Sequence, residues 1–457
     1  MIRKLKFIDL FAGLGGFHFA LKELGHECVL ASEIQLELRK LYAINHPDLK
    51  LDRIIGDIHK DIKTEEIPEF DILCAGFPCQ PFSQAGYRMG LNDPVNGNHF
   101  LKLIEIISHH KPSYVFLENV PNLKGHDDGN TWKVIEKSLK KEGYEVAERI
   151  LSPDQFGVPQ HRKRIYIVGV KTKVNGFQVN YPELKDEFTI QLSDYLDKGP
   201  DEDIPLKGET LKHILHWQSF VKQVEKKGGN DIPRFPVWSM EFGANYPFIE
   251  KATKRHKLSE LNKTNGKFGM PIKASSKIDL VNFLPRYSLT DQDVFPKWKR
   301  SYIESNRNFY DNHKDWIEDW KKEIIDWKLS HQKFEWNCGT DVDYTLEDKI
   351  IQFRPSGIRV KNRDRFPALV LSTTQVPIIF DKYKKGGAGF RYITKREAAN
   401  LQSMPQENFE IMENHVAAYR SFGNAVNVNV VKEVVKSVIG NNKDFAIKLD
   451  KEVICNK

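Results

Sequence analysis

The chain of 457 residues contains few cysteines and lacks any long apolar run. The cysteines are too scattered for a disulfide framework, and no pair has the spacing of a metal-binding motif; they are Cys28, Cys74, Cys79, Cys338 and Cys455. We therefore expect no metal and a reducing compartment such as the cytoplasm. Because no run reaches about 18 apolar residues, we expect no transmembrane helix. The apolar stretch near the N-terminus is too short for a signal peptide.

Charge of one sign is not in strong excess either. Lysine and arginine together number 69 against 62 acidic residues, which gives a formal net charge of +7. A mildly basic protein is compatible with a polyanionic partner, but many basic proteins bind no nucleic acid. Composition alone therefore assigns no function.

The pattern along the chain changes near residue 170. Before it, short apolar strands at 6–10, 71–75 and 114–117 alternate with helical stretches, which indicates an α/β domain with a mostly parallel sheet covered on both faces. Beyond it the alternation stops, and seven of the eight tryptophans lie between Trp217 and Trp336. This second stretch is typical of a separate, irregular domain.

A glycine-rich turn follows the first strand, with the sequence Phe11-Ala12-Gly13-Leu14-Gly15-Gly16. Glycines at a strand-to-helix turn let the backbone approach a ligand, although such turns also occur as plain structure. The spacing differs from the G-x-G-x-x-G of dinucleotide sites, so a nucleoside without pyrophosphate is at least as suitable. Glu33 and Asp57 follow the next apolar stretches, where carboxylates can meet ribose hydroxyls and an exocyclic amine. Each alone could equally be a solvated loop residue.

Cys79 begins a loop after a buried strand, in the segment Ala75-Gly76-Phe77-Pro78-Cys79-Gln80-Pro81. A lone cysteine is most often a buried structural thiol. Here the glycine and the two prolines disfavour a helix or strand interior, and catalytic groups collect on loops at strand ends. The pattern therefore favours Cys79 as a nucleophile.

Two segments resemble the catalytic motifs of the cytosine-5 DNA methyltransferases of restriction–modification type: Pro78-Cys79-Gln80 and Glu118-Asn119-Val120. Further segments resemble the family's other motifs in the same order along the chain, at residues 7–17, 160–166, 394–405 and 419–426. The resemblance covers residues 1–170 and about 385–440. The segment between them corresponds to the variable part of the family.

The resemblance implies a Rossmann-like S-adenosylmethionine-dependent methyltransferase fold of the α/β class, with a mixed, mostly parallel sheet. It implies a catalytic and cofactor-binding domain over 1–184, a smaller, irregular α+β target-recognition domain over 185–406, and a C-terminal segment over 407–457 that folds back onto the first domain. The implied reaction transfers a methyl group from S-adenosylmethionine to carbon 5 of a cytosine flipped out of double-stranded DNA, and it releases S-adenosylhomocysteine. We expect a cytoplasmic monomer without a membrane partner, and a restriction endonuclease that acts on the same DNA site.

The same resemblance implies the catalytic roles. Cys79 attacks carbon 6 of cytosine, and Glu118 serves ring nitrogen 3, which favours a raised pKa because a general acid works best near the operating pH. Asn119 orients the loop, Arg164 contacts the carbonyl oxygen of the base, and Arg162 holds the catalytic loop or a phosphate.

The predicted cofactor contacts lie at strand ends and in the last motif. They are Phe11, Ala12, Gly13, Gly15, Gly16, Glu33, Ile34, Asp57, Ile58, Gly76, Pro78, Asn424 and Val426. The chain departs from the family where Thr-Leu is usual and Asn98-His99 stands. The family's apolar adenine contact is therefore not carried over to His99.

Candidate DNA contacts are polar or basic residues beside the nucleophile and near the end of the variable region. They are Gln80, Ser83, Gln84, Arg354, Arg359, Lys361, Arg363, Thr374 and Gln375. Arginine, lysine and glutamine can bind phosphates or read base edges. A solvated charged face is the alternative for half or more of those near the end of the variable region.

Two other functions stay open at this level, and a third does not fit the sequence. An RNA cytosine-5 methyltransferase shares the motif set, but its recognition region is typically compact, whereas the one here is long. A catalytically inactive DNA-binding regulator would lose the cysteine or the glutamate, and both are present. A nicotinamide oxidoreductase fails on the glycine pattern and leaves Cys79 and Glu118 unexplained.

Overall fold

A computed structural model describes residues 4–78, 98–172, 179–184, 191–198, 200, 206, 208–228, 232–340, 342–369, 375–383 and 387–440. The predicted nucleophile and four predicted DNA contacts lie outside these residues: Cys79, Gln80, Ser83, Gln84 and Thr374. The described residues group into two units. The first unit lies within Met1–Asp197, Asp364–Thr373 and Lys395–Lys457, and the second lies within Lys198–Arg363 and Thr374–Thr394. No helix in the described part of the chain is long and apolar enough to cross a membrane.

The described residues of the first unit form a seven-stranded sheet with the order β3-β2-β1-β4-β5-β8-β6. Its strands, together with the short β7, are β1 (Lys6–Leu10), β2 (Glu27–Ser32), β3 (Ile54–Ile55), β4 (Ile72–Ala75), β5 (Tyr114–Asn119), β6 (Tyr144–Leu151), β7 (Gln160–His161) and β8 (Arg164–Lys171). Neighbours among β1 to β5 pair in parallel, whereas β8 pairs antiparallel with both β5 and β6. The predicted α/β class with a mostly parallel sheet is confirmed.

The parallel strands are apolar on both faces because helices cover both sides of such a sheet. Every residue of β4 and β5 is buried. The first covering helices are α1 (Gly16–Glu23), α2 (Leu36–Asn45), α3 (Asn98–His110) and α4 (Asn130–Lys141). In the register of the sheet, Leu10 pairs with both Ser32 and Ala75. The carboxyl ends of β1, β2 and β4 therefore meet at one edge, where parallel α/β sheets bind ligands.

The second unit combines helices with a six-stranded sheet of order β15-β14-β11-β12-β10-β9 among its described residues. Its elements are α5 (Gly208–Lys226), β9 (Val237–Trp238), α6 (Leu258–Leu261), α7 (Leu280–Phe283), α8 (Lys297–Asn312), α9 (Lys314–Trp320), β10 (Lys333–Asn337), β11 (Lys349–Arg354), β12 (Gly357–Asn362), β14 (Ile378–Phe380) and β15 (Phe390–Tyr392). Tryptophans contribute to its core: Trp217 is fully buried and stacks on Phe334 with ring centroids 4.6 Å apart.

Two later stretches also belong to the first unit. The earlier one contains β13 (Phe366–Pro367), which pairs in parallel with β7, and the later one contains α10 (Lys395–Leu401), α11 (His415–Asn424) and α12 (Val428–Gly440). Lys432 on α12 forms an ion pair of 2.8 Å with Glu23 on α1. Gln402 donates a hydrogen bond of 2.9 Å to the side chain of Gln160. Residues 395–406 group with the first unit, whereas the sequence-based boundary at 406 assigns them to the smaller domain.

Candidate active site

A cavity of about 440 Å³ lies at the carboxyl ends of the parallel strands of the first unit. The predicted cofactor residues that line it are Phe11, Ala12, Gly13, Glu33, Ile34, Asp57, Ile58, Gly76, Pro78, Asn424 and Val426. The predicted catalytic residues that line it are Glu118, Asn119, Arg162 and Arg164. Residues from distant segments thus converge on one cavity.

The glycine-rich turn has a left-handed backbone at three positions, with φ of 56° at Phe11, 56° at Gly13 and 81° at Gly15. Gly15 and Gly16 are not among the residues that line the cavity, and their small size serves packing. A Cβ at Gly15 would lie 2.1 Å from Nε2 of His46, and one at Gly16 would lie 2.3 Å from the carbonyl oxygen of Val426. The absence of a side chain at Gly15 therefore leaves room for the His46 ring, and its absence at Gly16 leaves room for the backbone that follows α11.

Glu33 follows β2 and is held by backbone donors. Its Oε2 accepts a hydrogen bond of 2.9 Å from the N–H of Gly13, and its Oε1 accepts one of 2.8 Å from the N–H of Gln35. Burial raises the pKa of Glu33, and the two backbone donors act in the opposite direction. Each carboxylate oxygen keeps acceptor capacity, so Glu33 can accept bonds from the two hydroxyls of a ribose.

Asp57 and His99 lie on the wall of the cavity beside Phe11. Oδ1 of Asp57 accepts a hydrogen bond of 2.9 Å from the N–H of His59. Nε2 of His59 and Nδ1 of His99 lie 3.0 Å apart, and the rings of Phe11 and His99 meet edge to face at 5.2 Å. His99 is not among the predicted cofactor residues. The available signal is its place in the first turn of α3, where Asn98-His99 stands instead of the Thr-Leu that is usual in the family.

Glu118 lies on β5, is buried, and faces two arginines. Nε of Arg164 is 3.0 Å from its Oε1, but that N–H is not aimed at the oxygen, and Oε1 accepts no hydrogen bond from the described residues. Burial raises the pKa of Glu118, and the charges of Arg164 and Arg162 lower it. The net effect is upward, so the carboxyl group retains its proton to higher pH than an exposed glutamate does.

Asn119 connects the ends of two strands. Its Nδ2 donates a hydrogen bond of 2.9 Å to the carbonyl oxygen of Phe77, and its Oδ1 accepts one of 2.8 Å from the N–H of Val120. Phe77 lies two residues before Cys79. Asn119 therefore fixes the backbone two residues before Cys79.

Arg162 lines the cavity, but its guanidinium binds backbone carbonyl groups. It is 2% exposed, and its Nη2 donates to the carbonyl oxygens of Gly423 at 2.7 Å and Ala425 at 3.0 Å. These two residues flank Asn424. Arg162 thus anchors the end of α11, where Asn424 and Val426 meet the cavity.

In the second unit, the predicted DNA contacts are partly engaged within the protein. Glu335 forms ion pairs with Arg354 at 2.7 Å and with Arg359 at 3.1 Å. Arg363 donates to the carbonyl oxygen of Phe380 at 3.0 Å. Lys361, on β12, has no ion-pair partner within the described ranges. The remaining described candidate, Gln375, accepts a hydrogen bond of 2.9 Å at its carbonyl oxygen from Gln352, so its side chain is not the group engaged.

Comparison with known proteins agrees with this arrangement. The model of the C-5 cytosine-specific DNA methylase family matches residues 5–440. The type II methyltransferase M.HpaII of Haemophilus parainfluenzae is 46% identical over 209 residues, which are 45% of this chain and 55% of that protein. The chain thus matches only about half the length of that relative. The type II methyltransferase M.BanI of Aneurinibacillus aneurinilyticus is 30% identical over 472 residues, with 96% of each chain covered.

The fold has solved counterparts as well. The crystal structure of the S. pombe Dnmt2 methyltransferase superposes with a TM-score of 0.51 and 15% identity, over 96% of this chain and 100% of that one. At this identity the likeness supports the fold alone. The family match over residues 5–440 carries the assignment: the chain belongs to the C-5 cytosine-specific DNA methylase family.

Proposed function

We propose that the protein transfers a methyl group from S-adenosylmethionine to carbon 5 of a cytosine in double-stranded DNA, with Cys79 as the nucleophile. The observation that supports this most is the cavity shared by Glu33, Asp57 and Glu118, which opens beside the backbone that leads into Cys79. A nucleoside-sized ligand and a reacting base both have suitable side chains there. The names of the relatives, which are type II methyltransferases, favour the same reaction.

The cavity suits S-adenosylmethionine by size and by its donors and acceptors. Its volume of about 440 Å³ falls in the usual range for small-molecule sites. Glu33 would accept bonds from the ribose hydroxyls, Asp57 would accept one from the adenine amine, and Asn424 would meet the methionine end. When bound, the cofactor supplies an electrophilic methyl group on a sulfonium and leaves as S-adenosylhomocysteine.

Cys79 makes carbon 5 of cytosine nucleophilic. Its thiolate adds to carbon 6, and the electron pair of the 5,6 double bond then attacks the methyl group from carbon 5. A base removes the proton from carbon 5, and the C–S bond breaks to restore the double bond. Nearby positive charge favours the thiolate. Arg164, which lines the same cavity, is the candidate for that charge.

Glu118 receives the charge that the addition pushes into the ring. A protonated carboxyl group can donate its proton to ring nitrogen 3, and the burial of Glu118 favours the protonated form. Its Oε1, which accepts no hydrogen bond from the described residues, has capacity left for the base. Arg164, whose Nε lies 3.0 Å from Oε1, is the neighbouring charge that stabilises the carboxylate once the proton has been donated.

The DNA substrate requires more than this cavity. Carbon 5 is inaccessible in stacked duplex DNA, so the base must be extruded at a cost of a few kcal/mol. We assign sequence reading to the second unit, where Lys361 is the predicted DNA contact without an ion-pair partner among the described residues. The protein would act as a cytoplasmic monomer beside a restriction endonuclease of the same specificity.

Trapping the covalent intermediate tests this proposal. Duplex DNA with 5-fluorocytosine in place of cytosine blocks the last step, because carbon 5 has no proton to lose. With S-adenosylmethionine present, intact-protein mass spectrometry should find the wild-type protein covalently joined to DNA. Cys79→Ser should form no adduct, and the matched control Cys455→Ser should form it normally. An adduct of Cys79→Ser at the wild-type level would contradict the proposal.

A further inference from the structure

His99, on the cavity wall, and its neighbour His59 have no role in the mechanism above. Nε2 of His59 lies 3.0 Å from Nδ1 of His99, which is hydrogen-bonding distance. The rings of His99 and Phe11 also meet edge to face, with centroids 5.2 Å apart. His99 lines the cavity together with Phe11, Asp57 and Ile58. Two neighbours therefore hold this imidazole in one orientation.

One polar atom of His99 is left over. Because Nδ1 is engaged by His59, Nε2 is the remaining ring nitrogen, and it has no hydrogen-bond partner in the described part of the chain. Burial lowers the pKa of His99, the charge of His59 lowers it further, and Asp57 raises it. The ring is therefore neutral near pH 7 and carries a single N–H. If His59 donates to Nδ1, that N–H is on Nε2.

The groups near His99 indicate which kind of ligand atom would accept a hydrogen bond from its Nε2–H. A purine offers one exocyclic amine and several ring nitrogens that accept hydrogen bonds. Asp57, an acceptor, is the natural partner of the amine. A neighbouring N–H donor then matches a ring nitrogen of the same purine.

We propose that His99 contacts the cofactor by donating an Nε2–H hydrogen bond to a purine ring nitrogen, and that His59 is the positioning residue that sets this tautomer. This inference rests on the proposed function, since it assigns the cofactor's base to this end of the cavity. It adds a polar contact at a position where the family often has leucine. The consequence is selectivity for the nitrogen pattern of adenine.

Calorimetric titration without DNA tests the contact. The ligands are S-adenosylhomocysteine and its analogues in each of which one purine ring nitrogen is replaced by C–H. For the wild-type protein, at least one analogue should bind about tenfold more weakly than the parent, as expected for one lost hydrogen bond. In His99→Leu this affinity ratio should fall to within about twofold, which is the coupling that a double-mutant cycle measures.

Two pairs of variants separate positioning from folding. Glutamine places an amide nitrogen near the position of imidazole Nε2, so His59→Gln and His99→Gln should keep most of the ratio. His59→Phe should reduce it in the same direction as His99→Leu. The nitrogen NMR shifts of His99 should also change tautomer in His59→Phe and not in His59→Gln.

The outcomes distinguish this inference from the function on which it rests. Wild-type protein that binds no S-adenosylhomocysteine contradicts the proposed function, and with it this contact. If S-adenosylhomocysteine binds, but the affinity ratios between it and its analogues are the same in the wild type and in His99→Leu, only the role of His99 is overturned. An unchanged ratio in His59→Phe overturns only the positioning role of His59.

Discussion

The side-chain amide of Asn119 donates a hydrogen bond to the carbonyl oxygen of Phe77, 2.9 Å away, so the end of β5 holds the backbone that follows β4. Glu118 lies directly before Asn119, and Cys79 lies two residues after Phe77. One hydrogen bond therefore links the segments of the two proposed catalytic groups. Positioning of this kind matters because small displacements of reacting groups are costly in rate.

Replacing Asn119 should therefore reduce turnover more than cofactor binding. Asn119→Ala removes the donor to Phe77 and the acceptor for Val120, and we expect kcat to fall about 10- to 100-fold. Asn119→Asp keeps the acceptor but faces the Phe77 carbonyl with a second oxygen, so it should lose at least as much. Steady-state methylation of duplex DNA and titration with S-adenosylhomocysteine measure the two effects. A kcat of Asn119→Ala equal to that of the wild type would contradict the linkage.

We expect the loss of the Glu118 proton to determine how the methylation rate falls at alkaline pH. Burial raises the pKa of Glu118 above that of an exposed glutamate. Because the protonated form is the general acid, the rate should be full below this pKa and should fall as pH rises through it. The rate of Glu118→Gln should no longer fall with pH in this range, and it should be about 10²- to 10⁴-fold lower than that of the wild type.

A substitution of Arg164 should shift the pH profile in a known direction, and it therefore tests whether Glu118 is the titrating group. Its charge lowers the pKa of Glu118, so Arg164→Gln should move the alkaline limb to higher pH, whatever it does to the maximal rate. The pH dependence of kcat/KM for both variants checks this. A limb that moves to lower pH in Arg164→Gln would show that another group titrates.

Arg162 should prove to be an anchor whose loss costs stability. Its buried guanidinium satisfies the carbonyl groups of Gly423 and Ala425, so Arg162→Met leaves both unpaired and should lower the free energy of unfolding by about 3 kcal/mol. Cofactor affinity should fall as well, because Asn424 lies between these residues. Urea denaturation with and without S-adenosylhomocysteine measures both.

Arg149 is the matched control for this loss. It is exposed and donates to one carbonyl group, that of Pro182, at 3.0 Å. Arg149→Met should therefore cost about 1 kcal/mol or less. Equal losses of stability in the Arg149 and Arg162 variants would argue against the anchoring role.

Gly16 should be intolerant of a single methyl group. A Cβ there would lie 2.3 Å from the carbonyl oxygen of Val426, whereas a Cβ at Gly125 would meet nothing within 4 Å. Neither glycine has a positive φ, so the pair isolates the steric effect. Gly16→Ala should lower the melting temperature and cofactor affinity, and Gly125→Ala should change neither. Wild-type cofactor binding by a stable Gly16→Ala would contradict the packing role.

Much of the fold and of the cavity follows from short local patterns. Apolar runs mark the strands, and the carboxyl ends of parallel strands meet at one edge. Glu33, Asp57 and Glu118 each stand directly after such a run or at its end, so their convergence could be predicted. The motifs around Cys79 and Glu118 then supplied the chemical interpretation.

The remainder depends on partners that are far away in the sequence. The roles of Gly15 and Gly16 require His46 and Val426 to be in place, and Arg162 binds residues more than 260 positions away. Glu335 pairs with Arg354 and Arg359 because β10, β11 and β12 lie together in one sheet. No local sequence pattern encodes such contacts. The arginine cluster in the sequence therefore suggests more unpaired positive charge than remains once Arg354 and Arg359 have paired with Glu335.

Bisulfite sequencing of plasmid DNA from cells that express the protein tests the central claim most directly. Cells with the wild-type protein should show one cytosine protected within one short recurring sequence, and cells with Cys79→Ser should show none. Protein levels and S-adenosylhomocysteine binding should be equal for the two. The absence of protected cytosines with soluble, cofactor-binding wild-type protein, or equal protection by Cys79→Ser, would contradict the account.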